Sequence, residues 1–213
     1  TNVSASHNTL IGAESFKTTT GGGNTGLGSQ SGENVQSGEL NTIIGYNAGT
    51  ALTTGDNNLL IGYQAGTSSS PGTIVTADNF VVIGNNSITN ANIKVSFTVT
   101  SDKRDKADIT DFTHGLSWIN KLRPVTYRWD MRSDYEDGKP NGTHKKTQLN
   151  IGLIAQEELE IEKEHGFAND RNDMLITSED EAGNYGMKYD RLVPILINAV
   201  KELSTKVTAL EAG

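Results

Sequence analysis

The chain has 213 residues, 23 glycines, no cysteine and a formal charge of -8 at neutral pH. That acidic balance runs against a nucleic-acid binder, which carries a basic stripe, and against a protein held on an anionic membrane surface. No apolar run approaches the roughly 18 residues of a membrane-spanning helix, disulfides and thiolate metal sites are ruled out, and His7, His114, His144 and His165 lack ligand spacing, so neither metal nor cofactor is expected.

No N-terminal segment reads as a signal peptide, and the first residue is Thr1 rather than Met, so a fragment of a longer chain is expected. Residues 1–98 are repetitive. A unit Asn-x-Φ-Φ-Gly, with Φ mostly aliphatic, recurs as Asn8-Thr9-Leu10-Ile11-Gly12, Asn24-Thr25-Gly26-Leu27-Gly28, Asn41-Thr42-Ile43-Ile44-Gly45 and Asn58-Leu59-Leu60-Ile61-Gly62. A longer variant runs from Asn79 to Gly84, and the closing glycines Gly12, Gly28, Gly45 and Gly62 are 16, 17 and 17 residues apart. The period is too short for a helical-hairpin repeat. Each unit reads as a short strand closed by a turn. Two or three aliphatics per strand, set against many glycines, suggest that these aliphatics are buried by stacking and oligomerisation, with a trimer the natural solution for a fibre. Such a stretch is not expected to close a core by itself, so a trimeric triple β-helix or stacked β-coils are expected, with a monomeric β-solenoid as a further alternative. Tyr46, Tyr63 and Phe80 offer an aromatic ladder for a sugar or receptor, or simply pack on neighbouring coils. The repeat resembles those of phage tail fibres and trimeric bacterial adhesin heads.

At Ser101-Asp102-Lys103-Arg104-Asp105-Lys106 the composition changes to an ordinary globular mixture. Ser101 is a candidate nucleophile and Lys106 a candidate base, since a free hydroxyl needs one. In a helix the two lie about 140° apart, and in a strand they point to opposite faces. A tight turn at 102–105 or pairing across a trimer interface is therefore needed. The competing reading makes Ser101-Asp102 a cap for the turn that follows.

Beyond the seam, Phe112, Leu116, Ile119 and Leu122 predict a helix over 111–122, ended by Pro124. Residues 125–129 alternate like a strand, 134–146 read as a polar loop, 149–154 as a strand and 155–164 as a helix. Residues 174–177 and 186–189 suggest a strand pair. Leu196, Val200, Leu203, Val207 and Leu210 step by 4, 3, 4 and 3, a heptad seam about two heptads long. An amphipathic helix packed on its own domain is the alternative. Val at a with Leu at d leans towards dimers in isolated coils, but the symmetry of the fibre favours three chains.

Four blocks carry a family resemblance: Ser101-Asp102-x-Arg104-x-Lys106; Gly115-Leu116 with Leu122-Arg123-Pro124-Val125 and Tyr127; Gly152-Leu153-Ile154-Ala155-Gln156-Glu157; and Tyr189 with Leu192-Val193-Pro194 and Ala199-Val200-Lys201-Glu202-Leu203. From about Val99 onward the chain resembles the C-terminal intramolecular chaperone domain of phage tail spikes, tail fibres and neck appendages, including the endosialidases. The resemblance implies a homotrimeric α+β unit over 99–213, ending in a coiled-coil helix, that templates a β-rich fibre and then removes itself by single-turnover autoproteolysis. It implies a catalytic set of Ser101 as nucleophile, Lys106 as base and Asp102, which stands just after the cut, with Arg104 as a supporting motif residue. Asp105 departs from the family pattern, which has an apolar residue there. The family's usual cut is Ser101–Asp102. Attack by Ser101 Oγ on the Thr100 carbonyl, through a five-membered ring, would instead cut Thr100–Ser101.

The expected protein is thus the C-terminal part of a trimeric phage tail fibre or spike, assembled in the host cytoplasm and carried on the virion. Its partners would be two further copies of itself and a host surface receptor or glycan met by the fibre segment, with no external substrate for the protease. A non-cleaving structural trimerisation domain is the alternative. A carbohydrate-active fibre ranks last, because Glu14, Glu33, Glu39, Asp56 and Asp78 show no catalytic spacing. Membrane-tethered transcription factors carry a similar domain, but this chain has no basic DNA-binding segment or membrane span.

Overall fold

In the computed structural model, which describes residues 6–213, each repeat unit contributes one three-residue strand. Residues 1–5, the start of the expected 1–98 segment, lie outside the described residues. The strands β1 (Thr9–Ile11), β2 (Thr25–Leu27), β3 (Thr42–Ile44), β4 (Leu59–Ile61) and β5 (Val81–Ile83) form one parallel sheet in sequence order. Register is strict: Thr9, Thr25, Thr42, Leu59 and Val81 stand in one row. This is a β-solenoid of stacked coils, and its core closes within a single chain. The strand centres Ile43, Leu60 and Val82 point inward, and the connecting turns add Phe16, Val35, Ala48, Leu52, Ala65 and Ile74. Sequence reasoning counted only the strand aliphatics and missed those from the turns. Where β2 has Gly26 instead of an aliphatic, Ser15 Oγ and the Phe16 ring fill the space, the ring 2.8 Å from where a Cβ would stand.

Two devices lock the coils together. The repeat asparagines form a buried ladder. Asn24, Asn41 and Asn58 donate their backbone N–H to Oδ1 of Asn8, Asn24 and Asn41 at 2.7–2.9 Å, and Phe80 N–H donates to Asn58 Oδ1. The Nδ2 groups of Asn24, Asn41 and Asn58 donate to the carbonyls of Gly38, Gly55 and Ala77. The great majority of buried polar groups are paired in this way. The closing glycines also stack directly. Gly45 has φ +133°, and a Cβ there would stand 2.5 Å from the Gly62 carbonyl oxygen, so only glycine fits.

The chain forms two compact units. One holds the solenoid up to Thr89 together with Arg128–Gln148 and Glu179–Asn184. The other holds Asn90–Tyr127, Leu149–Ser178 and Tyr185–Gly213.

The second unit is α+β. Helix α1 (Leu116–Ile119) is shorter than the 111–122 span the periodicity predicts. Gly115 at φ -139°, ψ -97° starts it late, and Asn198 Nδ2 ties down the preceding segment through the Phe112 and His114 carbonyls. Strand β6 (Val125–Tyr127) pairs antiparallel with β7 (Asn150–Gly152). Helix α2 (Ala155–Glu164) has the predicted bounds, and β8 (Thr177–Glu179) pairs with β9 (Tyr185–Met187). The chain ends on α3 (Leu192–Glu211), which tolerates Pro194 because it lies in the first turn. Trp118, Ile161, Ile176, Leu192 and Ile195 form the core, with Phe112, Leu153 and Phe167 against it.

Two carboxylates are buried in this unit. Glu162 accepts the backbone N–H groups of Leu175, Ile176 and Thr177 at 2.6–3.0 Å and so fixes the entry to β8. Glu158 Oε1 accepts the Trp118 indole N–H at 2.8 Å, while Oε2 is buried without a partner. Burial pushes the Glu158 carboxyl up to about 7 against the opposing pull of the indole bond. The seam residues Leu196, Val200, Leu203, Val207 and Leu210 are 47–82 % exposed in the single chain.

Candidate functional site

Ser101 lies at the end of an exposed segment without regular secondary structure, two residues before a 3₁₀ turn over Lys103–Asp105. Asp102 has the extended backbone of an N-cap, φ -70° and ψ 132°, and its Oδ1 accepts Arg104 N–H at 2.9 Å. The Arg104 guanidinium grips the same carboxylate, with Nη2 to Oδ2 at 2.6 Å and Nε to both oxygens at 3.1 Å. Hydrogen bonds from the Arg104 side chain, then from its backbone, hold the Asp102 carboxyl below the usual range. The turn closes through Asp105 N–H to Asp102 O and Lys106 N–H to Lys103 O, both 3.2 Å.

The reversal brings Lys106 back to Ser101, and Lys106 Nζ donates to Ser101 Oγ at 2.6 Å. Of the two routes open to the sequence, the turn within one chain makes this pair. The capping reading holds for Asp102 alone. Ser101 is left free of the cap, and its hydroxyl is engaged by the amine. Both side chains are open to solvent. Thr100 precedes Ser101 in the same exposed segment, and Asp105, the departure from the family pattern, stands exposed in the turn. A neutral Lys106 amine in this place can take the Ser101 Oγ proton, and water can reach any ester that results.

The other titratable groups have structural work. His114 and His165, 51 positions apart in sequence, meet with ring centroids 4.7 Å apart inside a cluster with Phe112, Trp118 and Phe167. Among the described residues no group of three or more His, Cys, Asp or Glu could hold a metal ion, and no helix is long and apolar enough to cross a membrane. In the solenoid, Asp56 and Asp78 accept the backbone N–H groups of Glu39 and Asp56 at 2.7 Å, linking coils. Tyr46 and Tyr63 stack on each other at 5.8 Å and 3°, and both rings stay about half exposed.

Residues 101–167, about a third of the chain, match the family model described as chaperone of endosialidase, and the match opens on Ser101 itself. This segment belongs to that family. The match supports a fibre-associated chaperone domain. The Tyr189-to-Leu203 block lies beyond the matched residues. No curated protein gives a significant match to the chain.

Proposed function

We propose that this chain is the C-terminal part of a trimeric phage tail fibre or spike, whose chaperone domain aligns three copies and is then released by self-cleavage next to Ser101. The observation that carries the cleavage is the 2.6 Å contact between Ser101 Oγ and Lys106 Nζ in a segment of this family. Neutral Lys106 takes the hydroxyl proton as Oγ adds to a carbonyl. Addition to Thr100 C=O through a five-membered ring, with Lys106 passing the proton on to the departing Ser101 nitrogen, breaks the Thr100–Ser101 amide and forms an ester. Water then splits the ester, leaving a carboxylate on Thr100 and a free amine on Ser101. A cut at Ser101–Asp102 would need another nucleophile, and the Asp102 carboxylate is already engaged by Arg104.

Self-association is supported by what one chain leaves bare. The α3 seam is exposed, and Ile93, Val95, Phe97 and Val99, alternating like a strand just before Ser101, are 54–81 % exposed. Each solenoid closes its own core, so a C-terminal trimer would hold three solenoids side by side at high effective concentration. Removal of the trimer afterwards would make the fibre's durability kinetic. The exposed Tyr46–Tyr63 stack is the handle the solenoid offers a glycan or receptor.

The test is a denaturing gel of purified wild type and Ser101→Ala. Two fragments from the wild type and one from the variant support self-cleavage. One intact chain from both overturns it and leaves a non-cleaving trimerisation domain.

A further inference from the structure

In successive coils one backbone position passes its N–H to the next coil. Thr20 donates to Gln36 O at 2.6 Å, Gln36 to Thr53 O at 2.7 Å and Thr53 to Val75 O at 2.8 Å. At Val75 no further coil continues this column. Val75 N–H donates instead to Glu181 Oε2 at 2.5 Å. Thr76 N–H reaches both oxygens of the same carboxylate, at 3.0 and 3.1 Å, and Thr76 Oγ1 donates to Oε1 at 2.5 Å. Beside it, Asp180 Oδ2 accepts Thr73 N–H at 3.1 Å. Both acids lie in the 180–184 turn that joins β8 to β9, and Glu179–Asn184 pack in the same compact unit as the solenoid.

The turn is built to present them. Asp180 Oδ1 accepts Ala182 N–H and Asn184 N–H, and Asn184 Nδ2 donates to Asp180 Oδ2, so the tip is held by its own hydrogen bonds as well as by the coil. Burial pushes the Glu181 carboxyl up, but hydrogen bonds from Thr76 and Val75 more than reverse this, so it stays ionised below the usual range. A charged acceptor on a backbone N–H is roughly twice as strong as a neutral one. The open end of a β-stack is a template for further strands and must be covered.

We propose that Asp180 and Glu181 act as a surrogate coil, capping the solenoid at residues 73–76 and holding this coil in the conformation onto which earlier coils stack. The biological sense of this cap rests on the chaperone reading. A cut next to Ser101 leaves residues 180–184 on the C-terminal fragment, so the cap becomes a removable, non-covalent one.

Amide hydrogen exchange on the full chain carrying Ser101→Ala tests it, with and without Glu181→Ala. The Val75 and Thr76 amides should exchange about tenfold or more faster in the double variant, with Gln36 and Thr53 unchanged. Glu181→Gln keeps the side-chain volume and one acceptor oxygen, and should give an intermediate acceleration at the same residues. Unchanged exchange at 75 and 76 in both variants overturns the cap. Because Ser101→Ala removes cleavage from the experiment, a failure of self-cleavage would not alter this result, and a failure of the cap would leave the Ser101 gel untouched.

Discussion

Lys106 reaches back over a single 3₁₀ turn to place Nζ 2.6 Å from Ser101 Oγ. The hydroxyl and the amine can thus meet within one chain. Co-assembled Ser101→Ala and Lys106→Ala chains should therefore stay uncut on denaturing gels. Fragments appearing in that mixture would show that the hydroxyl of one chain meets the amine of another.

The turn that makes this pairing is held by Asp102. In Asp102→Ala the Arg104 N–H and guanidinium lose their acceptor, while Ser101 and Lys106 remain. Cleavage should slow by roughly fivefold, the scale of a lost cap at an exposed turn, rather than stop. A time course on gels would separate this from the complete loss expected of Ser101→Ala.

Val200 and Leu203 are 64 and 49 % exposed on α3. Val200→Glu with Leu203→Glu should leave the single-chain core intact yet convert three copies into one, as read by sedimentation equilibrium. A wild type that is already monomeric would remove the trimer from the proposal.

Glu158 gives a pH dependence with a definite sign. Its folded carboxyl lies at about 7 against 4.5 for an unperturbed glutamate. The folded state therefore holds the extra proton between these values, and its contribution is full below about 4.5 and falls as pH rises to about 7. The total change is on the order of 3 kcal/mol. Glu158→Gln keeps an acceptor for the Trp118 indole, and its urea midpoint should lose this slope. Parallel curves for the two proteins from pH 4.5 to 7 would contradict it.

Asn41 makes four side-chain bonds inside the solenoid. Asn41→Ala leaves donors and an acceptor buried and unpaired, and should cost about 3 kcal/mol or more. Asn34, whose side chain reaches Thr50 O at the surface, should cost less than about 1 kcal/mol as Asn34→Ala. Urea unfolding of the two variants provides the comparison.

The repeat period and the α2 bounds were legible because aliphatic spacing is local. The closed solenoid core was not, since Phe16, Leu52 and Ile74 come from turns with no periodic signature of their own. The asparagines read as turn formers, and only stacking at 16–17 residues reveals them as a ladder, although their recurrence at the solenoid's own period was a usable signal. The residue types of the Ser101–Lys106 pair were visible, but their contact depends on the Asp102–Arg104 turn, which spacing rules for helices and strands cannot supply. The Glu181 contact with Thr76 spans 105 positions, and nothing in the local sequence marks it.

Intact-mass measurement of the purified wild type and Ser101→Ala tests self-cleavage most directly. Two wild-type masses that sum to the full chain plus one water, with the junction at Thr100–Ser101 or Ser101–Asp102, and one uncut mass for Ser101→Ala are expected. A single uncut wild-type mass, or the same two fragments from Ser101→Ala, would contradict the role of Ser101.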